Sequence, residues 1–430
     1  MQTKNQDVDF SIKKAIFGRA LFAAIVFIVA PNARGVRAMP NFIYFIIFMI
    51  ILRKRNDPCM STEHKSFWSR IGDQFGTGIL RDYLVPVETN NLWYSLGGIL
   101  GIAIALQFFF GFILLYKYIP DAGIAFGITK AFIDSPTWKI VLNFHFWNSF
   151  VIVGLVAAHM MRAFISGAYR GAKKGLWLIG SALGGLVFVL YLTGEALHWD
   201  EVGFGVPWNI SESLSAINLS GFFRYTTDSL LSIPTATEKL SQLYSVHVAI
   251  APILLIAFVG LHLYLVKSKG ISVPFWKKAS GIKKPFKKHV KIWLAGGMVV
   301  LIALLLVATF VPRGAGVAPQ LISSSPYYGT DEDPGGLGFK PTFAISFTRG
   351  MNIFFADYLG VEPDIWGAMT SMGLMAVVLL IIPFIDRGQE PTDRESVFDW
   401  RKRIWAFLAM ALFWAIFIVG VVLNAITAAG

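Results

Sequence analysis

The chain runs to 430 residues, 55% hydrophobic and only 15% charged, with a formal net charge of +12. Its apolar residues gather in runs of about twenty rather than in amphipathic stripes, which excludes an ordinary soluble domain and implies an all-α, polytopic membrane protein. The one cysteine, Cys59, excludes an intrachain disulfide and a thiolate-held iron–sulfur cluster.

Residues 1–59 fit no span pattern. Ala15–Ala30 and Phe42–Leu52 are apolar but short, interrupted by Pro31 and Pro40 and ringed by Arg19, Arg34, Arg37, Arg53, Lys54 and Arg55. They read either as a signal-like or hairpin extension or as residues upstream of a true start at Met60, and we favour the second. Residues 60–90 are then a polar cytoplasmic segment, with an amphipathic surface helix expected over Met60–Glu88. Seven spans follow, at Leu92–Tyr116, Trp138–Ile165, Leu176–His198, Leu243–Val266, Ile292–Val311, Ile365–Ile385 and Ile404–Ile426. Four belong to a bundle over residues 91–270 and three to a C-terminal region over 271–430.

The charge is distributed by side. Lys267 to Lys291 carries nine lysines and no acid, the second-to-third connection holds Arg170, Lys173 and Lys174, and the last holds Arg401, Lys402 and Arg403. These short basic loops read as cytoplasmic. The long connections opposite carry Asp200, Glu201, Glu212 and Asp228, then Asp331, Glu332, Asp333, Asp357 and Glu362. All seven spans fit one orientation in a cell's inner membrane, with the N-terminus cytoplasmic and the C-terminus outside. The basic excess is thereby explained by topology, and no nucleic-acid partner is expected.

Four of the seven histidines form two matched pairs: His145 and His159 on the second span, His247 and His262 on the fourth. Steps of fourteen and fifteen residues at about 1.5 Å each separate the members by about 21–22 Å and keep them near one helix face. Two such helices side by side offer two His–His clamps, one toward each membrane surface. That is an arrangement for two bis-histidine haems, whereas zinc needs its ligands clustered. A lone histidine in an apolar segment is usually just packed, but two pairs at one spacing need a common cause. The first span carries Gly97 and Gly111 and the third Gly180 and Gly194, each pair also fourteen apart, as room for a flat group between helices. Gly98, Gly101, Gly184 and Gly185 show that such a spacing also arises by chance.

With these residues in view, the stretches WYSLGGILGIAIALQFFFG, HFWNSFVIVGLVAAHMMR, TGEALHWDE and LYSVHVAIAPILLIAFVGLHLYLVKSKGIS resemble the cytochrome b subunit of the Rieske/cytochrome b quinol-oxidising complexes. The likeness is close over Asp82 to Pro274 and loose beyond. The fifteen-residue step from His247 to His262 and the KSKGIS after it look more like the chloroplast-type bf proteins, which split into two chains what is here one polypeptide.

The resemblance implies two non-covalent haems b, the outer held by His145 and His247 and the cytoplasmic by His159 and His262. It gives Arg162, and more weakly Lys267, as partners of a haem propionate. It implies an electron-transfer subunit passing electrons between quinol and quinone sites and, through a Rieske iron–sulfur protein or a c-type or multihaem cytochrome, to an outside acceptor, with proton translocation. Quinol is placed between the end of the third span and the loop from Gly335 to Gly360. A homodimeric complex is expected on family likeness alone.

The chain also departs from the family. The Pro-Glu-Trp-Tyr motif, whose glutamate takes a proton from quinol, is replaced by Lys340-Pro341-Thr342-Phe343. Quinol oxidation still needs a proton acceptor, and Glu195, followed by His198, is the candidate substitute; a helix-end carboxylate facing water would look the same. Ser95 stands where chloroplast-type proteins carry a haem-attaching cysteine, so no covalent haem is expected. Leu142 replaces a family arginine near the outer haem, leaving Lys139 or backbone amides as partners there. The missing glutamate keeps open a haem b membrane anchor of a specialised periplasmic oxidoreductase without bifurcation. A proton-coupled transporter is a distant third reading that leaves the paired histidines unexplained.

Overall fold

The computed structural model describes residues 83–200, 202–204, 206, 236–274, 277, 280–311, 313, 347, 350–360, 368–391 and 399–429. The readings of residues 1–59, of a start at Met60 and of Lys340–Phe343 lie outside them.

The elements in chain order are β1 (Leu84–Pro86), α1 (Leu92–Leu115), α2 (Ala125–Asp134), α3 (Pro136–Ile165), α4 (Lys174–Ala196), α5 (Ala236–Ser245), α6 (Ala251–Lys269), β2 (Lys283–Pro285), α7 (Lys287–Phe310), α8 (Ala368–Ile385) and α9 (Trp400–Ala429). Among the described residues six helices are long and apolar enough to cross a membrane, α5 and α6 counting as one with the turn that joins them. The sixth expected span is α8, an 18-residue helix whose apolar part, Ser371–Ile385, falls short of that length. The chain is a multi-pass, all-α membrane protein, and its helices have local causes. Asn91 caps α1 by accepting the Tyr94 N–H at 3.2 Å. Pro136 opens α3, where a missing N–H costs nothing. Gly270, at φ 76°, ends α6 in a conformation that glycine tolerates.

α1, α3, α4 and α6 form a four-helix bundle. Ala103, Ile152, Val187 and Leu255, one buried residue from each helix, meet in an apolar layer. α7 lies against α1 and α3. It is pinned at its far end where Asn143 Nδ2 donates to the Ala308 carbonyl and Trp147 Nε1 to that of Val311, both at 2.9 Å. α8 and α9 pack as a pair, and α8 also touches α4. Phe164, Tyr169 and Trp177 from the bundle interlock there with Val378, Ile382, Ala406 and Met410.

The expectation of an amphipathic helix up to Glu88 fails at its C-terminal end. Leu84–Pro86 pairs antiparallel with Lys283–Pro285, Leu84 opposite Pro285, and Val87–Thr89 is a 3-10 turn. Pro86 cannot donate to an intrahelical bond, and a partner strand was hidden in the lysine-rich connection. The Glu88 carboxylate accepts from the Ser280 N–H at 2.8 Å and from the Ser280 hydroxyl, tying bundle entry to that connection. α2 was also unforeseen. It packs on α3, and its Ala125 joins Trp199, Phe204 and Leu240 in a small cluster at the end of the bundle.

Candidate functional site

The bundle brings the four histidines together in the pairs expected. The His145 and His247 ring centres lie 6.2 Å apart with planes at 75°, and those of His159 and His262 lie 6.4 Å apart at 68°. A metal–imidazole nitrogen bond of about 2.0–2.1 Å, added to roughly 1.1 Å from that nitrogen to the ring centre, puts two imidazoles flanking one ion about 6.2–6.4 Å apart. Both pairs have that separation.

The odd fifteen-residue step has a structural cause. His247 sits in a π turn, Val246–Ile250, between α5 and α6. Such a turn holds one residue more than an α-helical turn, so fifteen residues span what fourteen do elsewhere. Pro252 lacks the N–H that would otherwise bind the carbonyl four residues back, which favours the turn at this point.

Each histidine rests against one of the four glycines. A Cβ at Gly97 would stand 3.0 Å from His159 Cε1, at Gly111 3.0 Å from His145 Cε1, at Gly180 3.5 Å from His262 Cε1, and at Gly194 2.7 Å from His247 Cε1. Neighbouring glycines differ: Gly98 faces Trp293, Gly184 faces Met160, and Gly101 and Gly185 face open space. The fourteen-residue spacing therefore selects the glycines beside histidines.

The two levels are built differently. His145 Nδ1 lies 3.1 Å from the Gln107 carbonyl, so it is the protonated nitrogen and leaves the Nε2 lone pair free. Gln107 returns Nε2–H to the His145 carbonyl at 3.0 Å and accepts from Asn148 at 2.8 Å. His247 Nδ1 lies 3.1 Å from Thr193 Oγ, whose proton goes to the Val189 carbonyl, so Nδ1–H donates and Nε2 is again free. At the other level, His159 Nδ1 and His262 Nδ1 are buried with no hydrogen-bond partner among the described residues.

These residues fit a haem. Among the described residues no group of three or more His, Cys, Asp or Glu could hold an ion alone. Two opposed imidazoles therefore need a cofactor that brings its own ring ligands. Arg162 is suited to an anionic substituent: its guanidinium lies 4.7 Å over the Tyr94 ring, and Nε is buried without a hydrogen bond among the described residues. Lys267 is exposed, Lys139 half-buried and Leu142 buried. Ser95 is fully buried and donates to the Asn91 carbonyl at 2.9 Å.

Beside His145 and His247 opens a cavity of about 440 Å³, lined also by Tyr191, Glu195, His198 and Tyr244. Glu195 and His198 thus reach one space. His198 Nδ1 is buried with no hydrogen-bond partner among the described residues. Behind Glu195 lies a residue that sequence reasoning missed. Arg313 Nη2 is 2.9 Å from Asp200 Oδ2 and 3.9 Å from Glu195 Oε1, and its guanidinium is 5.0 Å from the Phe146 ring centre. Trp199, at φ 51°, turns the chain after α4 so that Asp200 faces back toward Arg313. Only the position of Arg313 just past a span hinted at this, since 113 residues separate it from Asp200.

Residues 80–270 match the family described as cytochrome b/b6/petB. That stretch is similar to a cytochrome b domain. It runs from β1 through the end of α6 and contains all four histidines and all four glycines. A cytochrome bc complex cytochrome b subunit from Chlorobaculum thiosulfatiphilum is 26% identical over 333 residues, covering 74% of this chain and 72% of that protein. Cytochrome b6 of Gloeobacter violaceus is 27% identical over 221 residues, half of this chain and all of that protein. The likeness in helical arrangement extends beyond that stretch. A solved chain of a hyperthermophilic respiratory Complex III shares the fold with a TM-score of 0.62 at 19% identity, over 84% of this chain and 96% of that one.

Proposed function

We propose that this chain is the dihaem cytochrome b subunit of a quinol-oxidising membrane complex. The observation that carries the reading is the pair of imidazole clamps at 6.2 and 6.4 Å, each ring backed by a glycine of the neighbouring helix. His145 with His247 and His159 with His262 would hold two haems b, and a bound haem supplies a one-electron redox couple. With Ser95 in place of a cysteine, attachment is non-covalent.

The chain's own groups supply the rest of the site. Quinol gives up two protons with its two electrons, and Glu195, lining the cavity beside His145 and His247, is the proton acceptor. His198, which lines the same cavity, offers a hydrogen-bonding nitrogen to a quinol oxygen. Arg162, buried with an unspent donor, meets a propionate at the other level. The charge bias puts the Glu195 cavity outside, with the N-terminus cytoplasmic and the C-terminus outside in the inner membrane. Quinol oxidation there and quinone reduction at the cytoplasmic side release protons outside and take them up inside. The electron leaving outward goes to a Rieske protein or c-type cytochrome on another chain, in a homodimeric complex.

The test is a dithionite-reduced minus oxidised spectrum with potentiometric titration, on membranes carrying the full chain and its His145→Ala and His159→Ala variants. Two b-type haems are expected, with one lost in each variant. A chain without haem, or with haem indifferent to these histidines, refutes the proposal.

A further inference from the structure

We propose that Arg313 is a positioning residue of the outer quinol site, its guanidinium held by Asp200 behind Glu195 so that it favours the ionised Glu195 carboxylate and keeps it aimed into the cavity. The inference rests on the reading of that cavity as a quinol site. Arg313 is nine-tenths buried, and one nitrogen, Nη2, serves both carboxylates, at 2.9 Å to Asp200 and 3.9 Å to Glu195. Its other terminal nitrogen, Nη1, is buried with no partner among the described residues. The guanidinium is thus committed to Asp200, with an unspent donor that a turn toward Glu195 would satisfy.

The surroundings fix this arrangement. The Arg313 N–H donates to Asn143 Oδ1 at 3.3 Å, and Asn143 also holds the end of α7 through the Ala308 carbonyl, so the arginine is anchored to α3. Asp200 Oδ1 accepts the Gly203 N–H at 2.9 Å, which locks the carboxylate that clamps the guanidinium. The other titratable groups around Glu195 are Tyr191 on its own helix, His198 beyond it, His145 and His247 across the cavity, and Tyr118 and Tyr244 at the rim. Among the described residues around Glu195, Arg313 is the permanent cation and Asp200 the second acid. The pair therefore acts as a charge balance on the proton acceptor. The cation favours the ionised carboxylate, and Asp200 moderates the cation so that it does not capture Glu195 outright.

The two members then have opposite effects. The acceptor works when ionised, so the rate of quinol-driven haem reduction rises with pH along an acid limb. Removing the cation makes Glu195 keep its proton to higher pH, and removing the Asp200 charge makes it lose its proton at lower pH. The experiment is stopped-flow reduction of the haems by a short-chain quinol across pH, on membranes carrying the full chain as wild type, Arg313→Gln, Arg313→Lys, Asp200→Asn and Glu195→Gln. The protonated-carboxyl infrared band absent from Glu195→Gln is titrated in the same membranes, as a readout that involves no haem turnover.

The expected result is an acid limb and infrared titration moved to higher pH in Arg313→Gln, with about tenfold slower reduction on that limb for a one-unit displacement. Both move to lower pH in Asp200→Asn, and Arg313→Lys stays close to wild type. A limb and band unmoved in Arg313→Gln and Asp200→Asn, with haem content intact, overturn the inference, as does an Arg313→Lys protein as displaced as Arg313→Gln. If Arg313→Gln fails to assemble, Asp200→Asn alone decides, since a purely structural role predicts no shift toward lower pH. A wild-type chain whose haems quinol does not reduce defeats the underlying reading, a result distinct from all of these.

Discussion

At Gly194 the space left by a missing methyl group is taken by the His247 ring. A Cβ there would lie 2.7 Å from His247 Cε1, closer than side-chain atoms sit, whereas at Gly180 it would lie 3.5 Å from His262, an ordinary contact. On the proposed function, Gly194→Ala is therefore expected to abolish the haem held by His145 and His247, and Gly180→Ala to leave that of His159 and His262 bound, which absorbance of purified variants decides. Similar haem occupancy in both would show that the glycines only ease helix packing. Thr193 acts one bond further out, by accepting the His247 Nδ1 proton. Such a contact orients an imidazole and raises its basicity, and its loss weakens ligation by about 10–100-fold in other metal sites. Thr193→Val is expected to lower outer-haem retention and to move its midpoint potential positive, since a less basic ligand favours the ferric state less. Potentiometry of the variant against wild type measures the shift.

At the scale of elements, the C-terminal pair is fastened to the bundle by one buried acid. Asp386, fully buried, accepts from Arg403 Nε at 3.0 Å, lies 3.2 Å from Arg170 Nε, and takes the Tyr169 hydroxyl proton. Arg403 also donates to the Phe164 carbonyl at 2.9 Å, and Lys173 pairs with Glu390 at 2.7 Å. Removing one partner from such a cluster leaves uncompensated buried charge and costs about 3–5 kcal/mol. Asp386→Asn is expected to release α8 and α9 from the bundle, seen as faster hydrogen exchange in those helices with the α1–α6 region unchanged; uniform protection would contradict the role. The strap between β1 and β2 answers to pH. The Ser280 hydroxyl and N–H hold the Glu88 carboxyl below the ordinary value of 4.5. A carboxyl depressed in the folded state contributes stability that is fully present above its unfolded value and lost as pH falls through the folded one. Exchange of the Val87 amide, which donates to the Ile282 carbonyl at 3.0 Å, should therefore quicken relative to intrinsic rates as pH drops below about 4.5. Ser280→Ala, which removes the hydroxyl and keeps the N–H, should weaken that pH dependence.

Across the whole molecule, what could be read in advance was what repeats along a helix. The histidines and glycines share one period and lie within apolar runs, so the helical repeat alone brings them to common levels. Arg313 could not be read this way, because it follows a span and meets Asp200 only through the packing of α7 on α3. The Asp386 cluster was equally hidden, as Tyr169, Arg170 and Arg403 each look like loop or helix-end residues. Three-residue strands of Leu-Val-Pro and Lys-Lys-Pro show no alternation to betray them. α7 is joined to the bundle by side-chain bonds and by the β1–β2 ladder, contacts that do not depend on a continuous chain after α6. Coexpressed halves divided between Pro274 and Phe275 are expected to copurify with haem; failure of the second half to copurify would show that covalent continuity is required.

The apolar layer of Ala103, Ile152, Val187 and Leu255 lies between the two histidine levels. None of its members can relay a proton. On the proposed function it is the insulating film of a capacitor, whose plates are the two pairs of imidazoles. A negative charge that crosses it travels without its counter-ion, so each crossing stores work as voltage instead of moving a neutral hydrogen atom.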